Sequence, residues 1–163
     1  MAAPNVRRVV TGHDSEGRAV IAKDHVFDEP SQLGRVIWST VTSPADNTDE
    51  TDGSERAVGV TAPGGTVFRV GQLEPGGRSP MHRTNSVDYG LVLKGEMGME
   101  LDGGDVVRLK AGDVVVQRGT NHVWFNDTDE PVVMAWILID AEPVKIGDRV
   151  LEPTPFHRPT NNN

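Results

Sequence analysis

Two histidines and an aspartate, each spaced regularly from glycines, are the residues of this chain best equipped for chemistry. The first stretch runs from Gly76 through His82, Thr84 and Asp88 to Gly95, and the second from Gly112-Asp113 through Gly119 and His122 to Asn126. An imidazole near a carboxylate is a serviceable general acid–base pair, because it titrates close to neutral pH. Both stretches lie in runs that read as strands, where alternate side chains share a face. His82 and Thr84 therefore point one way and Arg83 the other, while His122, Trp124 and Asn126 form a second set. Asp88 reaches the same cavity from the following strand, with Tyr89 turned away. The candidate catalytic residues are His82, Asp88 and His122, and the candidate substrate-contacting residues are Thr84, Trp124 and Asn126. Arg69 and Arg118 could reach an anionic ligand, although the sequence does not fix their faces. His13 and His25, beside Asp14 and Asp24, and His157 in a proline-rich tail read as surface residues. Trp38 and Trp136 read as core, and Trp124 as core or pocket wall.

The elements that must position these groups are strands. No helical period of useful length occurs, and short Val- and Ile-rich runs alternate with Gly, Pro and Asp. That pattern predicts an all-β sandwich or barrel of antiparallel strands. Arg7–Thr11 and Arg18–Lys23 flank Asp14-Ser15-Glu16-Gly17 as a hairpin. Strands are then expected at Leu33–Val41, Thr66–Leu73, Val87–Leu93, Met97–Leu101, Asp105–Lys110, Asp113–Gln117, His122–Asn126 and Val132–Ile139. Asp102-Gly103-Gly104 marks a tight turn. The chain is read as one domain over residues 1–163, with a core barrel at 57–142, N-terminal strands at 6–41 and an extended tail at 152–163. The acidic stretch 43–56 has no apolar anchor beyond Ala45 and is expected to be a mobile loop, either a solvated connector or a lid over the barrel mouth.

The two glycine-bounded stretches resemble the paired signature motifs of the cupin superfamily. Gly76, five residues, His82, one residue, Thr84, three residues, Asp88, six residues, Gly95 keeps the first motif's spacing, with the family's second His replaced by Thr84 and its Glu by Asp88. In the second motif, Gly112-Asp113, Gly119, His122 and Asn126 are present, the proline is absent and the spacer is one residue short. The resemblance covers about Thr66 to Asp140. It implies a cupin jelly-roll β-barrel with His82, Thr84, Asp88 and His122 around one cavity. It also implies a divalent metal (Fe, Zn, Mn or Ni) held by His82, Asp88 and His122, with a metal-free pocket as the alternative. Two imidazoles and a carboxylate suit Fe(II), or Zn²⁺ with an open position. A threonine hydroxyl is a poor substitute for imidazole, and Asp is one methylene shorter than Glu.

Three functions follow as expectations. One is a small-molecule lyase or isomerase that decarboxylates, dehydrates or tautomerises a carbonyl- or carboxylate-bearing metabolite. The second is an Fe(II)-dependent dioxygenase, and the third a non-catalytic small-ligand-binding module. The net charge of −8 offers no attraction to phosphate backbones or anionic lipid, so no nucleic acid and no membrane partner is expected. With no cysteine, there is no disulfide framework. Neither a leader peptide nor a membrane-length apolar run is seen, and a cytoplasmic location is expected. Family analogy and the surplus N-terminal strands lead to the expectation of a homodimer with C₂ symmetry.

Overall fold

The computed structural model of the protein describes residues 5–27 and 34–154. All its regular elements are strands: β1 Val6–His13, β2 Ala19–Phe27, β3 Arg35–Thr40, β4 Thr66–Leu73, β5 Ser86–Lys94, β6 Glu96–Leu101, β7 Val106–Lys110, β8 Val114–Arg118, β9 His122–Phe125, β10 Val132–Asp140, β11 Lys145–Ile146 and β12 Arg149–Val150. A five-stranded sheet in the order β3-β4-β10-β5-β8 faces a three-stranded sheet β7-β6-β9, and β1-β2 and β11-β12 are separate hairpins. Every pairing is antiparallel. This is the expected all-β jelly-roll barrel. No helix of the described residues is long and apolar enough to cross a membrane.

The apolar pattern explains the layers. Strand β10 lies in the middle of its sheet and is buried on both faces, so its sequence is apolar from Val132 to Ile139 instead of alternating. Val132 and Met134 point into the barrel and pack with Val92, Met97 and Leu109. Val133 and Ala135 point outward and pack with Ile37 and Val70, and this second core is covered by Val6 and Phe27 from the root of the β1-β2 hairpin. The surplus N-terminal strands thus seal the outer face of the sheet. Each fully buried Val or Met side chain contributes about 1.5–3 kcal/mol.

The motif glycines Gly76, Gly95, Gly112 and Gly119 all adopt positive φ, between 60° and 94°. At Gly95, the corner between β5 and β6, a Cβ would also stand 2.9 Å from the Pro131 carbonyl oxygen. Any other residue there would meet both a left-handed backbone and a clash.

The 43–56 stretch is anchored by charge instead of by apolar side chains. Asp52 is buried and accepts from Arg8 at 2.6 and 2.8 Å and from Lys23 at 2.6 Å, so the loop is tied to both strands of the hairpin. Arg8 in turn stacks over Phe27 and Trp38. The tail from residue 155 on, like Leu33, lies outside the described residues. Residues 152–154, before it, are held by Arg83, which donates to the Gly119 and Glu152 carbonyls and bridges Thr154 through its backbone. Arg83 is therefore a clamp on the C-terminal segment, whereas alternation from His82 alone makes it a surface or interface residue.

Candidate functional site

His82 and His122 are brought together by the backbone. The two residues form an isolated antiparallel bridge, with N–H to carbonyl bonds of 3.0 and 2.9 Å in the two directions. Directly opposed residues project to one side, and the imidazole centroids stand 4.3 Å apart. Each ring turns Nδ1 toward a carbonyl two residues earlier: His82 toward Pro80 and His122 toward Thr120, both at 3.0 Å. Donation from Nδ1–H to these carbonyls places the lone pair of each ring on Nε2. Both side chains are buried, and burial is the main force lowering both pKa values. His122 is pushed down to about 4, with its Thr120 bond opposing the shift and the neighbouring His82 adding to it. Both rings are therefore neutral at pH 7.

Asp88 is buried on β5 and lies in register with Gln117 on β8. Gln117 accepts the Thr120 N–H at 3.1 Å through Oε1, which fixes its amide orientation. Its Nε2 then faces Asp88 Oδ2 at 3.2 Å and His122 Nδ1 at 3.3 Å. The Thr120 carbonyl is the closer partner of His122 Nδ1, so Gln117 donates to Asp88. Desolvation raises the Asp88 carboxyl to about 6, while the Ser86 hydroxyl draws it back down. Asp88 Oδ1 is buried without a hydrogen-bond partner. The Ser86 hydroxyl donates to Thr84 Oγ1 at 2.8 Å. Asp88, Gln117, Thr120 and His122 thus form one hydrogen-bonded series: Gln117 donates to Asp88 and accepts the Thr120 N–H, and the Thr120 carbonyl accepts from His122.

Trp124 stands edge-on to His122, with centroids 5.4 Å apart, and contacts Trp136 at 6.3 Å. It is a wall of the interior. Asn126 does not join the set. Its amide donates to the Leu73 and Glu130 carbonyls at 3.0 and 2.8 Å and accepts from Thr128, so every polar atom of the side chain holds the turn after β9. Arg69 is buried on β4, opposite Trp136 in the register. Arg118 is exposed at the outer end of β8. His13 and His25 are exposed, as expected, and His157 lies outside the described residues. Sequence reasoning missed Gln117 and Ser86. A lone polar residue closing the run Val114-Val115-Val116 was the available signal for Gln117.

The expected metal-ligand set is assembled only in part. His82 and His122 could supply two imidazole ligands. Asp88 Oδ2 is engaged by the Gln117 amide, which also stands 3.3 Å from His122 Nδ1. Among the described residues no three His, Asp or Glu side chains converge as a metal site. The residues present therefore do not fit a three-ligand metal centre.

Comparison with known proteins agrees with the architecture. Residues 69–138 match the family described as Cupin domain. The chain is 39% identical over 157 residues to Phomopsin biosynthesis cluster protein C' of Diaporthe leptostromiformis, covering 88% of this chain and 83% of that one. It is 35% identical over 161 residues to the cupin-domain-containing oxidoreductase virC of Hypocrea virens, covering 90% and 83%. A double-stranded β-helix protein of Klebsiella pneumoniae shares 27% identity over 47% of this chain and 68% of that one, with a TM-score of 0.44. With near full-length likeness to a named cupin-domain protein and the glycine-cornered barrel around His82 and His122, this chain belongs to the cupin family.

Proposed function

We propose that this protein is a small-molecule enzyme of the lyase or isomerase type, in which His82 and His122 move a proton on a carbonyl- or carboxylate-bearing metabolite. The observation that carries the reading is the bridged imidazole pair, 4.3 Å apart, with both Nδ1 atoms turned to carbonyls. A neutral Nε2 is a competent base toward a C–H bond beside a carbonyl. The C–H electron pair becomes the enolate, the proton passes to one imidazole, and the imidazolium returns it to another carbon or to a departing hydroxyl. Isomerisation or dehydration then balances without a co-reactant. Two adjacent imidazoles resist double protonation, so one holds the proton while the other stays neutral. Asp88 acts as a positioning residue for His122 through Gln117 and Thr120, whose carbonyl holds the His122 Nδ1–H. Because the ligand set is incomplete, no step is assigned to a metal.

A second reading has its own support. Relatives 31–35% identical to this chain carry the name cupin-domain-containing oxidoreductase, and others are named as biosynthesis cluster proteins. Oxidation of the substrate would require an oxidant, and oxygen uptake on adding a carbonyl compound separates this reading from the first. A homodimer remains part of the proposal, supported by the apolar side chains Val20, Ile21 and Val26 exposed along β2. Elution as a monomer at micromolar concentration would remove it. The functional reading itself is tested by replacing both histidines with glutamine. Loss of turnover with the fold intact is expected, and unchanged turnover would end it.

A further inference from the structure

Two groups compete for the Nδ1 atom of His122. The Thr120 carbonyl stands 3.0 Å away and can only accept, whereas the Gln117 amide nitrogen stands 3.3 Å away and can only donate. With the first partner the ring carries its proton on Nδ1 and its lone pair on Nε2; with the second the arrangement is reversed. The position of the Thr120 carbonyl therefore decides the tautomer, and only the first tautomer lets Nε2 accept a proton.

That carbonyl sits on a corner with little stiffness of its own. It follows Gly119, whose φ is 60° and which, lacking a Cβ, changes conformation readily. The peptide unit joining Gly119 to Thr120 is nevertheless held at both ends. Its N–H donates to Gln117 Oε1 at 3.1 Å, and its carbonyl accepts from Arg83 Nε at 3.0 Å. The unit is planar, so bonds at its two ends fix its rotation and limit where the next carbonyl, that of Thr120, can point. Arg83 is well anchored for this task. Its side chain is 15% exposed, with Nη2 3.9 Å from Asp102 Oδ2. Nη1 donates to the Glu152 carbonyl at 3.4 Å, and the Arg83 carbonyl accepts the Thr154 N–H at 3.0 Å. Arg83 also follows His82, whose backbone bridges His122, so one residue ties the two histidine segments together.

We propose that Arg83 is a positioning residue, which holds the Gly119–Thr120 corner so that His122 keeps its proton on Nδ1 and its lone pair on Nε2. This deepens the proton-transfer reading and rests on it for the consequence in turnover. Without the Arg83 bond the corner turns, the Thr120 carbonyl leaves Nδ1, and the Gln117 amide donates there instead. Nε2 then carries the proton, and His122 no longer serves as a base.

The test uses the intact ¹⁵N-labelled protein at neutral pH and reads the histidine tautomers from long-range ¹H–¹⁵N correlations. Three chains are compared: the parent, Arg83→Met, which keeps an apolar stem without the donors, and Arg83→Lys, which keeps one donor group. The parent should show His122 as the Nδ1–H form. Arg83→Met should move most of His122 to the Nε2–H form and should lower kcat about ten-fold or more at unchanged KM. Arg83→Lys should give an intermediate Nε2–H fraction and recover part of the rate. An Nε2–H ring in the parent, or an Nδ1–H ring in Arg83→Met, would overturn the assignment. Lost thermal stability in Arg83→Met with an unchanged tautomer would make Arg83 a structural clamp alone and do the same. Should Arg83→Met not fold, Arg83→Lys decides: a detectable Nε2–H fraction supports the assignment and a pure Nδ1–H form overturns it. The tautomer measurement needs no substrate, so its failure leaves the histidine pair standing as an acid–base site, and absence of turnover in the parent would end that reading while the Arg83 effect on His122 stayed visible.

Discussion

Replacing Asp88 with Asn should make the protein progressively more stable than the parent as pH rises. In the fold burial disfavours the charge of the Asp88 carboxyl and pushes it up to about 6, from an ordinary value of 3.8. Between those values the folded chain holds a proton that the unfolded chain has released. The stabilisation from that proton is fully present below 3.8 and is lost as pH rises through 6. A shift of about 2 pKa units corresponds to about 3 kcal/mol. His122 works in the opposite direction. Its folded value near 4 lies below the ordinary 6.5, so its contribution is present above 6.5 and is lost as pH falls toward 4, by a similar amount of about 3 kcal/mol. In the parent the two slopes oppose one another. The Asp88→Asn change leaves His122 alone, and the stability difference between variant and parent should move by about 2.5 kcal/mol in the variant's favour between pH 4 and pH 8. Guanidinium unfolding of both proteins at five pH values across that range measures the difference, in which unaltered groups cancel. A difference constant to within about 0.5 kcal/mol would refute the claim that Asp88 is a desolvated carboxyl, using the error scale of such additive comparisons.

Two further outcomes follow from the same structure. Asp52→Ala should cost about 3–5 kcal/mol, because it strands Arg8 inside the fold and releases the 43–56 loop from the hairpin; a loss below about 1 kcal/mol by chemical denaturation would show that the pair is not an anchor. Gln117→Leu should cost about 1–3 kcal/mol, since the Thr120 N–H loses its acceptor and Asp88 Oδ2 its donor, and a neutral result by the same measurement would remove Gln117 from the hydrogen-bonded series.

Much of the barrel was legible because strand runs and turn residues agree locally. Asp102-Gly103-Gly104 does make the turn between β6 and β7, with the Leu101 N–H donating to the Asp105 carbonyl at 2.8 Å. The hairpin at Asp14–Gly17 also forms, with Asp14 accepting the Glu16 and Arg18 N–H groups. The β11-β12 hairpin, two residues a side, is too short to carry a period and was missed. His122 and Trp124 share a face by strand alternation, because both lie on β9. Asn126 leaves that face because β9 ends at Phe125, and beyond the strand the side chain turns to its own loop. His82 and Thr84 precede β5, which begins at Ser86, so strict alternation does not govern them and the Thr84 hydroxyl meets Ser86 instead of the imidazoles. The pairing of Asp88 with Gln117 depends on register between distant strands, which spacing within one motif does not encode.

The most direct measurement is proton exchange at carbon. The protein is incubated in D₂O with a panel of α-keto acids and 1,3-dicarbonyl compounds, beside a His82→Gln/His122→Gln variant, and C–H to C–D exchange is read by ¹H NMR with dissolved oxygen monitored in parallel. Accelerated exchange with at least one compound, no oxygen uptake, and loss of the acceleration in the variant are expected. Equal exchange in both proteins, exchange with no compound, or turnover only with oxygen consumption would contradict the proton-transfer reading.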